Sequence, residues 1–556
     1  MFMDPVFKPK LFSILRNNFD KKSIPNDVFA GIIVGIVALP LAIAFAVASG
    51  VSPEKGLITA IVAGFIISFL GGSRVQIGGP TGAFIVIVYG IINQYGLDGL
   101  MISTILAGFF LLAFGFFRLG AILKFIPHPL IVGFTSGIAL VIFSTQIKDA
   151  LGLPLEKLPA DFIGKWSLYL QHITEFNHWS IIITVATILI TLYAGKLIPK
   201  IPGSFIAIIL MTALVAIFSL PVNTIQTIYG AIPNKFDFSM PTVDLSNIGH
   251  YIQPALTIAI LGAIESLLSA VVADGMISGH HRSNTELIAQ GFANIASPLF
   301  GGIPATGAIA RTATNVKNGG RTPIAGMVHA VTLLLIMLVF GKWAALIPMP
   351  CLAGILIVVS YNMSEMKSFG SILKSSKYDA FILVTTFLLT VFVDLTVAIE
   401  VGVVLSSLLF MERMSKLSTV ISAEQETDAL ESYANVPKGI EIFEISGPFF
   451  FAAARRYEET LKDIRHTSKV VIIRMRHVPF IDSTGIRNLK GTIKDLKARK
   501  VRVVLSGVRP EVRTELEKGG IAQLLGEGNI ADNFDQALVM AEHHLREREL
   551  HAHHTA

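Results

Sequence analysis

Between Val28 and Met411 the chain alternates long apolar runs with short polar gaps. The first set of runs is Val28–Ala48, interrupted at Leu39-Pro40-Leu41, then Leu57–Leu70, a broken stretch helical from Pro80 to Ile92, Met101–Phe117, His128–Ser144, Ile181–Ala194 and Phe205–Leu220. The second set is Pro254–Met276, Leu287–Leu299, a broken stretch Thr306–Val316, Ile324–Phe340, Ala344–Val359, Ala380–Val393 and Leu395–Met411. An upright membrane helix needs roughly twenty apolar residues. The shorter runs fit half-length or re-entrant helices shielded by protein. After Met414 the pattern changes. Ser415–Pro437 is polar and mixed and reads as a linker, and Gly439–Ser446, Lys469–Met475 and Val501–Ser506 read as strands rich in Ile and Val. Helical stretches are predicted at Ala452–Arg465, Thr484–Arg499, Glu511–Lys518 and Asn533–Leu545. Such alternation predicts a small α/β domain with helices on its sheet.

The two broken stretches carry nearly the same order of residues. Gly78-Gly79-Pro80-Thr81-Gly82-Ala83 in the first is echoed by Gly301-Gly302-Ile303-Pro304-Ala305-Thr306-Gly307-Ala308 in the second. Glycine admits extended or left-handed backbone, and proline costs nothing in a first helical turn. Two such elements at matching places in two halves point to an inverted-repeat transporter, with helix starts facing each other at mid-membrane. Those starts expose unpaired N–H groups and partial positive charge, which suit an anion.

Composition supports the membrane reading. Only 15% of the 556 residues are charged, against 52% hydrophobic, with a mean hydropathy of +0.65; soluble domains carry about 25% charged residues. The net charge of +6 is modest and makes no case for nucleic acid. It is distributed by side. With the basic segment before Asn26 inside, the inner loops hold Arg74, Arg118 and Lys124, Lys196 and Lys200, His280-His281-Arg282, Lys317 and Arg321, Lys367, Lys374 and Lys377, and Arg413 with Lys416. The long outer loops at 151–179 and 221–253 carry Asp161, Glu175, Asp237 and Asp244 instead. This is the positive-inside pattern, and it predicts cytoplasmic termini and an even number of spans. The single cysteine, Cys351, excludes an internal disulfide framework and a multi-thiolate metal site.

Glu265 is the most informative residue. It lies inside Ile258–Ser269, where an ionisable group costs about 2.5–3.5 kcal/mol and marks function by default. Ser269, four residues on, shares its helical face, and a carboxylate near hydroxyls could bind a proton or a sodium ion. Asp274 reads as interfacial, and Asp394 and Glu400 have no evident partner. Arg311, past the second helix start, either adds charge beneath a bound anion or pairs with Glu265; the alternative is a side chain snorkelling to the interface. In the C-terminal part, Asp482-Ser483-Thr484-Gly485 follows a strand and opens a helix, and Asp482 or Ser483 would cap it. No phosphate-binding glycine loop, serine elbow or His/Cys metal set is found, so no enzyme, cofactor or metal is expected. His280-His281 and the terminal His551, His553 and His554 read as solvated loop and tail.

Four motifs make the chain resemble the SulP/solute carrier 26 anion transporters: Ala38–Ala46, the Gly-Gly-Pro-Thr-Gly element at 78–82, Gly262–Leu268, and Asn294–Arg311. The tail resembles a STAS domain, with Asp482–Gly485 at its characteristic loop. The resemblance implies a polytopic α-helical protein of about 14 spans, a 7+7 inverted repeat divided into core and gate, usually a homodimer. It places domains at 1–26 (cytoplasmic segment), 27–414 (transport), 415–437 (linker), 438–546 (STAS) and 547–556 (tail). It implies an anion site lined by Leu41, Phe45, Thr81, Gly82, Ala308, Ile309, Ala310 and Arg311. Glu265, with Ser269 and Thr306, matches the family's cation- or proton-coupling position. Asp482, Ser483 and Thr484 become regulatory candidates. Two departures stand out: Leu41 replaces the Gln of many animal relatives, and Ala310 replaces a Ser, leaving more recognition to backbone N–H groups. The expected function is proton-coupled symport of a sulfate-, bicarbonate- or dicarboxylate-class anion by alternating access, in an inner membrane. An uncoupled channel or exchanger, a sodium-coupled bicarbonate symporter and a membrane-anchored sensor with STAS output are the rivals.

Overall fold

A computed structural model describes residues 7–16, 23–121, 127–155, 158–159, 161–197, 202–230, 238, 248–393, 395–417, 419–422, 436–452, 468–526 and 528–554. Lys124, Lys200, Asp237, Asp244, Asp394 and most of the helix expected at Ala452–Arg465 lie outside the described residues. The chain forms two compact units, Met1–Val403 and Val404–Ala556.

After a short helix α1 (Lys10–Arg16), the first unit runs α2 (Ile24–Ala48), α3 (Pro53–Leu70), a two-residue strand β1 (Gly78–Gly79) and α4 (Phe84–Phe116). α5 (His128–Leu151), α6 (Phe162–Gln171), α7 (His178–Leu197), α8 (Gly203–Phe218) and α9 (Ile225–Tyr229) complete its first half. The second half holds α10 (Gly249–Ile277), α11 (Ser283–Leu299), β2 (Thr306–Gly307), α12 (Ile309–Lys317), α13 (Ile324–Ala344), α14 (Met349–Met363), α15 (Met366–Leu373), α16 (Lys377–Phe392) and α17 (Leu395–Leu417). Among the described residues, eight helices are long and apolar enough to cross a bilayer.

α4 is two helices in one, because Gly96 breaks it with φ 69° and ψ −169°. Its first half pairs in sequence position with α12, and its second with α13. The packing then repeats between the halves. α4 lies on α11 and α10, and its counterpart α13 lies on α3 and α2. α5 lies on α16 and α14, and α14 in turn lies on α7 as well as α5. One helix group therefore comprises α2–α4 and α10–α13, the other α5, α7, α8, α14 and α16. With α4 counted as two, α2–α5, α7 and α8 of the first half match α10–α14, α16 and α17 of the second, the seven-plus-seven arrangement, and the two groups are its core and gate.

Several boundaries differ from expectation. α2 continues through Pro40 rather than breaking there. The helices expected from Pro80 and Thr306 begin only at Phe84 and Ile309, because Pro80–Ala83 form a turn before the first and Thr306–Gly307 are spent on the β1–β2 pairing before the second. The run expected at Ala344–Val359 divides at Pro348, after which α14 begins.

In the second unit, β3 (Thr419–Ser422), β4 (Ile440–Ser446), β5 (Val470–His477), β6 (Arg502–Ser506) and β7 (Ile530–Ala531) form one sheet in that order, antiparallel only at β3–β4. The segment read as a linker at 415–437 thus supplies an edge strand. Strand periodicity of two sends alternate side chains to opposite faces. Phe443, Val471, Ile473, Val503 and Leu505 join Leu489, Ile493 and Leu516 from α18 (Ser483–Ala498) and α19 (Pro510–Lys518), beside α20 (Ile521–Leu525). Ile442, Val470, Ile472 and Val504 face Ala537, Ala541 and Leu545 of α21 (Phe534–His554) on the other side.

Candidate binding site at the two broken helices

β1 and β2 are antiparallel, with Gly78 opposite Gly307 and Gly79 opposite Thr306. This ladder, too short and too glycine-rich to read as strand from sequence, brings the starts of α4 and α12 together. Ala308 N–H extends it by donating to the Ile77 carbonyl at 2.8 Å. Glycine is required here by space. A Cβ on Gly307 would sit 1.7 Å from Nε2 of Gln76, and one on Gly79, where φ is +147°, would meet Nη1 of Arg311 at 2.6 Å.

Glu265 projects from α10 to this junction, half-buried. Thr81 Oγ1 donates to its Oε2 at 2.9 Å, so the carboxylate is tied to the turn that opens α4. Arg311 comes from the other broken helix. It is 2% exposed, and its Nη2 donates to the Pro80 carbonyl while Nη1 has no partner. A side chain so buried does not snorkel. It forms no ion pair with Glu265 either; the two charges flank the same short turn, Pro80-Thr81, from opposite helices. Ile309 and Ala310 at the start of α12 are exposed, and by helix geometry their N–H groups lack intrahelical partners. Leu41 and Thr81 are half-buried, whereas Phe45, Gly82 and Ala308 are buried. The arrangement can therefore offer an anion two helix starts and a guanidinium, with a carboxylate beside them.

The chain matches the model of the Sulfate permease family over residues 24–386 and that of the STAS domain over residues 433–537. It belongs to the sulfate permease family. It is 40% identical over 528 residues to the "Putative sulfate transporter YvdB" of Bacillus subtilis (strain 168), covering 94% of this chain and 99% of that protein. It is 30% identical over 532 residues to the "Bicarbonate transporter BicA" of a Picosynechococcus species, covering 91% and 92%. Among solved structures, murine Solute Carrier 26 family member A9, an anion transporter in the inward-facing state, superposes with a TM-score of 0.86 at 19% identity, over 98% of this chain and 95% of that one. That likeness concerns the fold.

Within this permease the remaining expected site residues are committed elsewhere. Thr306 Oγ1 donates to the Gly262 carbonyl at 2.8 Å, and Ser269 Oγ donates to Thr312 Oγ1 at 3.2 Å. Both brace α10 against the second broken element, and neither is bonded to Glu265. Asp274 holds His281, accepting from its backbone N–H and meeting its Nδ1, each at 2.7 Å. The His281 side chain is thus held and covered, at a half-buried loop position, rather than solvated as expected.

Four buried polar residues, none given a role by sequence alone, brace the elements that carry or adjoin the site. Glu286 is fully buried, and its carboxylate accepts from Gly72 N–H (2.8 Å), Ser73 N–H (3.1 Å), Gln290 Nε2 (3.1 Å) and Ser266 Oγ (3.4 Å). Ser283 through Glu286 has the spacing of a capping box. Here the glutamate reaches across to the loop before β1 instead of back to its own helix. Asn294 clamps Ala305, donating to its carbonyl at 2.8 Å and accepting from its N–H at 2.9 Å. Asp27 accepts from Arg321 N–H, Thr322 N–H and the Thr322 hydroxyl, fixing the entry to α13. His329 is fully buried on α13 and lies against Gly64 of α3.

In the STAS domain Asp482 is the N-cap of α18. Its Oδ1 accepts from Gly485 N–H at 2.7 Å and its Oδ2 from Phe451 N–H at 2.9 Å. Ser483 is exposed and Thr484 half-buried.

Proposed function

We propose that this anion transporter is a secondary active carrier that moves a small anion of the sulfate, bicarbonate or dicarboxylate class together with a proton. The observation that carries the reading is the convergence, on one turn, of Glu265 from α10, Thr81 from the first broken helix and Arg311 from the second. An anion at the two helix starts meets fixed positive potential, each start worth about 0.3–1 kcal/mol and up to about 2 when partly buried. Glu265 is the group that takes up and releases the proton, because its Thr81 bond links its charge to the geometry of that site. Alternating access follows from movement of the helix group that carries the site against the group of α5, α7, α8, α14 and α16.

A sodium-coupled reading needs several oxygen ligands around Glu265. The hydroxyl bonded to its carboxylate is that of Thr81, whereas those of Ser269 and Thr306 are directed at Thr312 and Gly262. That favours the proton. An uncoupled channel leaves an ionisable group inside the membrane without a task, which its cost argues against. The named activities of the relatives, sulfate and bicarbonate transport, support the substrate class. An inner-membrane location with cytoplasmic termini, a homodimer, a transport domain over 27–414, a STAS domain over 438–546 to which Thr419–Ser422 adds the edge strand, and a modulatory role for that domain with Ser483 and Thr484 as its regulatory residues belong to the same proposal. The test is uptake of sulfate, bicarbonate, chloride and fumarate into proteoliposomes with and without a proton gradient. Accumulation of one anion only with the gradient supports the reading; gradient-independent equilibration of all four refutes it.

A further inference from the structure

On the last helix, α21, His543, His544 and Glu547 bring their ligand atoms within 4.8 Å of one another. We propose that these three side chains form a divalent transition-metal site, of the zinc type, on the STAS domain.

Asn529 is oriented by its own amide, whose Nδ2 donates to the Leu525 carbonyl at 3.0 Å. Its Oδ1 therefore faces outward, 2.7 Å from Nε2 of His544. An amide oxygen only accepts, so Nε2 carries the hydrogen, and in the neutral ring Nδ1 is left with a lone pair. That Nδ1 is buried and within ordinary hydrogen-bond distance of no acceptor or donor; its nearest polar neighbour is Oε2 of Glu547 at 3.7 Å. A lone pair aimed at a carboxylate is repulsive unless a cation stands between them.

His543 completes the set from one helical turn before Glu547, its Nδ1 at 3.6 Å from Oε1. Zinc–ligand bonds of about 2.0–2.2 Å in a tetrahedron separate donors by roughly 3.3 Å, so small rotamer adjustments suffice, with water completing the shell. The Leu525–Asn529–His544 chain has the form of an outer-shell support, in which the non-ligating ring nitrogen donates to a fixed oxygen. Two imidazoles and one carboxylate select the zinc, nickel and copper class over calcium or magnesium.

The test is calorimetric titration of the full-length purified protein with Zn2+ alone at neutral pH, in a background carrying His551→Ser, His553→Ser and His554→Ser to remove competing imidazoles. One equivalent should bind. Asn529→Ala, which touches no metal, should weaken binding 10–100-fold, and Glu547→Gln, at an exposed position that folding does not need, should weaken it at least tenfold. Loss of all binding in the triple background, or unchanged affinity in Glu547→Gln and Asn529→Ala, overturns the site.

Discussion

Thr81 and Glu265 are 184 positions apart in sequence and 2.9 Å apart in space, joined by a hydroxyl-to-carboxylate hydrogen bond. Hydrogen bonds to charged groups contribute about 1.5–3 kcal/mol. Thr81→Val keeps the shape and removes the donor, so anion uptake at fixed gradient should fall about tenfold. Thr81→Ser should retain most of it. Equal uptake by all three proteins in proteoliposomes would detach Thr81 from the mechanism.

Ala310 is exposed at the start of α12, where a side chain can be enlarged without disturbing the interior. Ala310→Phe should weaken anion binding at least tenfold while the thermal midpoint changes by no more than a degree or two. Titration calorimetry alongside a melting curve separates the two readouts. Intact affinity would move the anion away from this helix start.

Arg311 has a structural task as well as a charge. Removing it leaves the buried Pro80 carbonyl without its donor, at a cost of about 1–3 kcal/mol. Arg311→Ala should therefore lower both stability and anion affinity. Loss of stability with unchanged affinity would leave the guanidinium a purely structural brace.

Gly307 tests the ladder. Its added Cβ would strike the Gln76 amide, itself bonded to Ser266 at 2.8 Å beside Glu265. Overpacking of this kind costs about 1–3 kcal/mol. Gly307→Ala should lower the melting temperature and impair transport together, and normal transport in a destabilised protein would mean that the precise approach of the two helix starts is unimportant.

Much of this was legible in the sequence and some was not, for physical reasons. Apolar runs announced the helices, and the repeated Gly-Pro-Thr-Gly order marked both broken elements. Glu265 and Arg311 declared themselves as charges in apolar surroundings. The β1–β2 ladder was hidden because two glycines carry no strand signal; only the distant partner makes them a strand. Glu286 looked like a helix-start residue and proved to be a tie to another segment, a role set by tertiary contact alone. His329 stood among small and apolar residues with no spacing to mark it. The edge strand Thr419–Ser422 was lost in a polar stretch, and it changes where the chain should be cut. Truncation near Leu417 removes the whole sheet, whereas truncation at Pro437 would strand β3 without β4. The shorter protein, once shown to be inserted and folded, should still carry anion, and a complete loss of flux would make the STAS domain part of the transport machine.

The central claim is that Glu265 carries the coupled proton. The most direct measurement compares accumulation by wild-type protein and Glu265→Gln in proteoliposomes under an imposed inward proton gradient, with counterflow exchange measured on the same vesicles. The substitution keeps the side-chain shape and the capacity to accept from Thr81 while removing the titratable charge. Wild type should concentrate the anion several-fold above equilibrium; Glu265→Gln should only equilibrate it, with exchange retained. Gradient-driven accumulation by Glu265→Gln at the wild-type level would contradict the account.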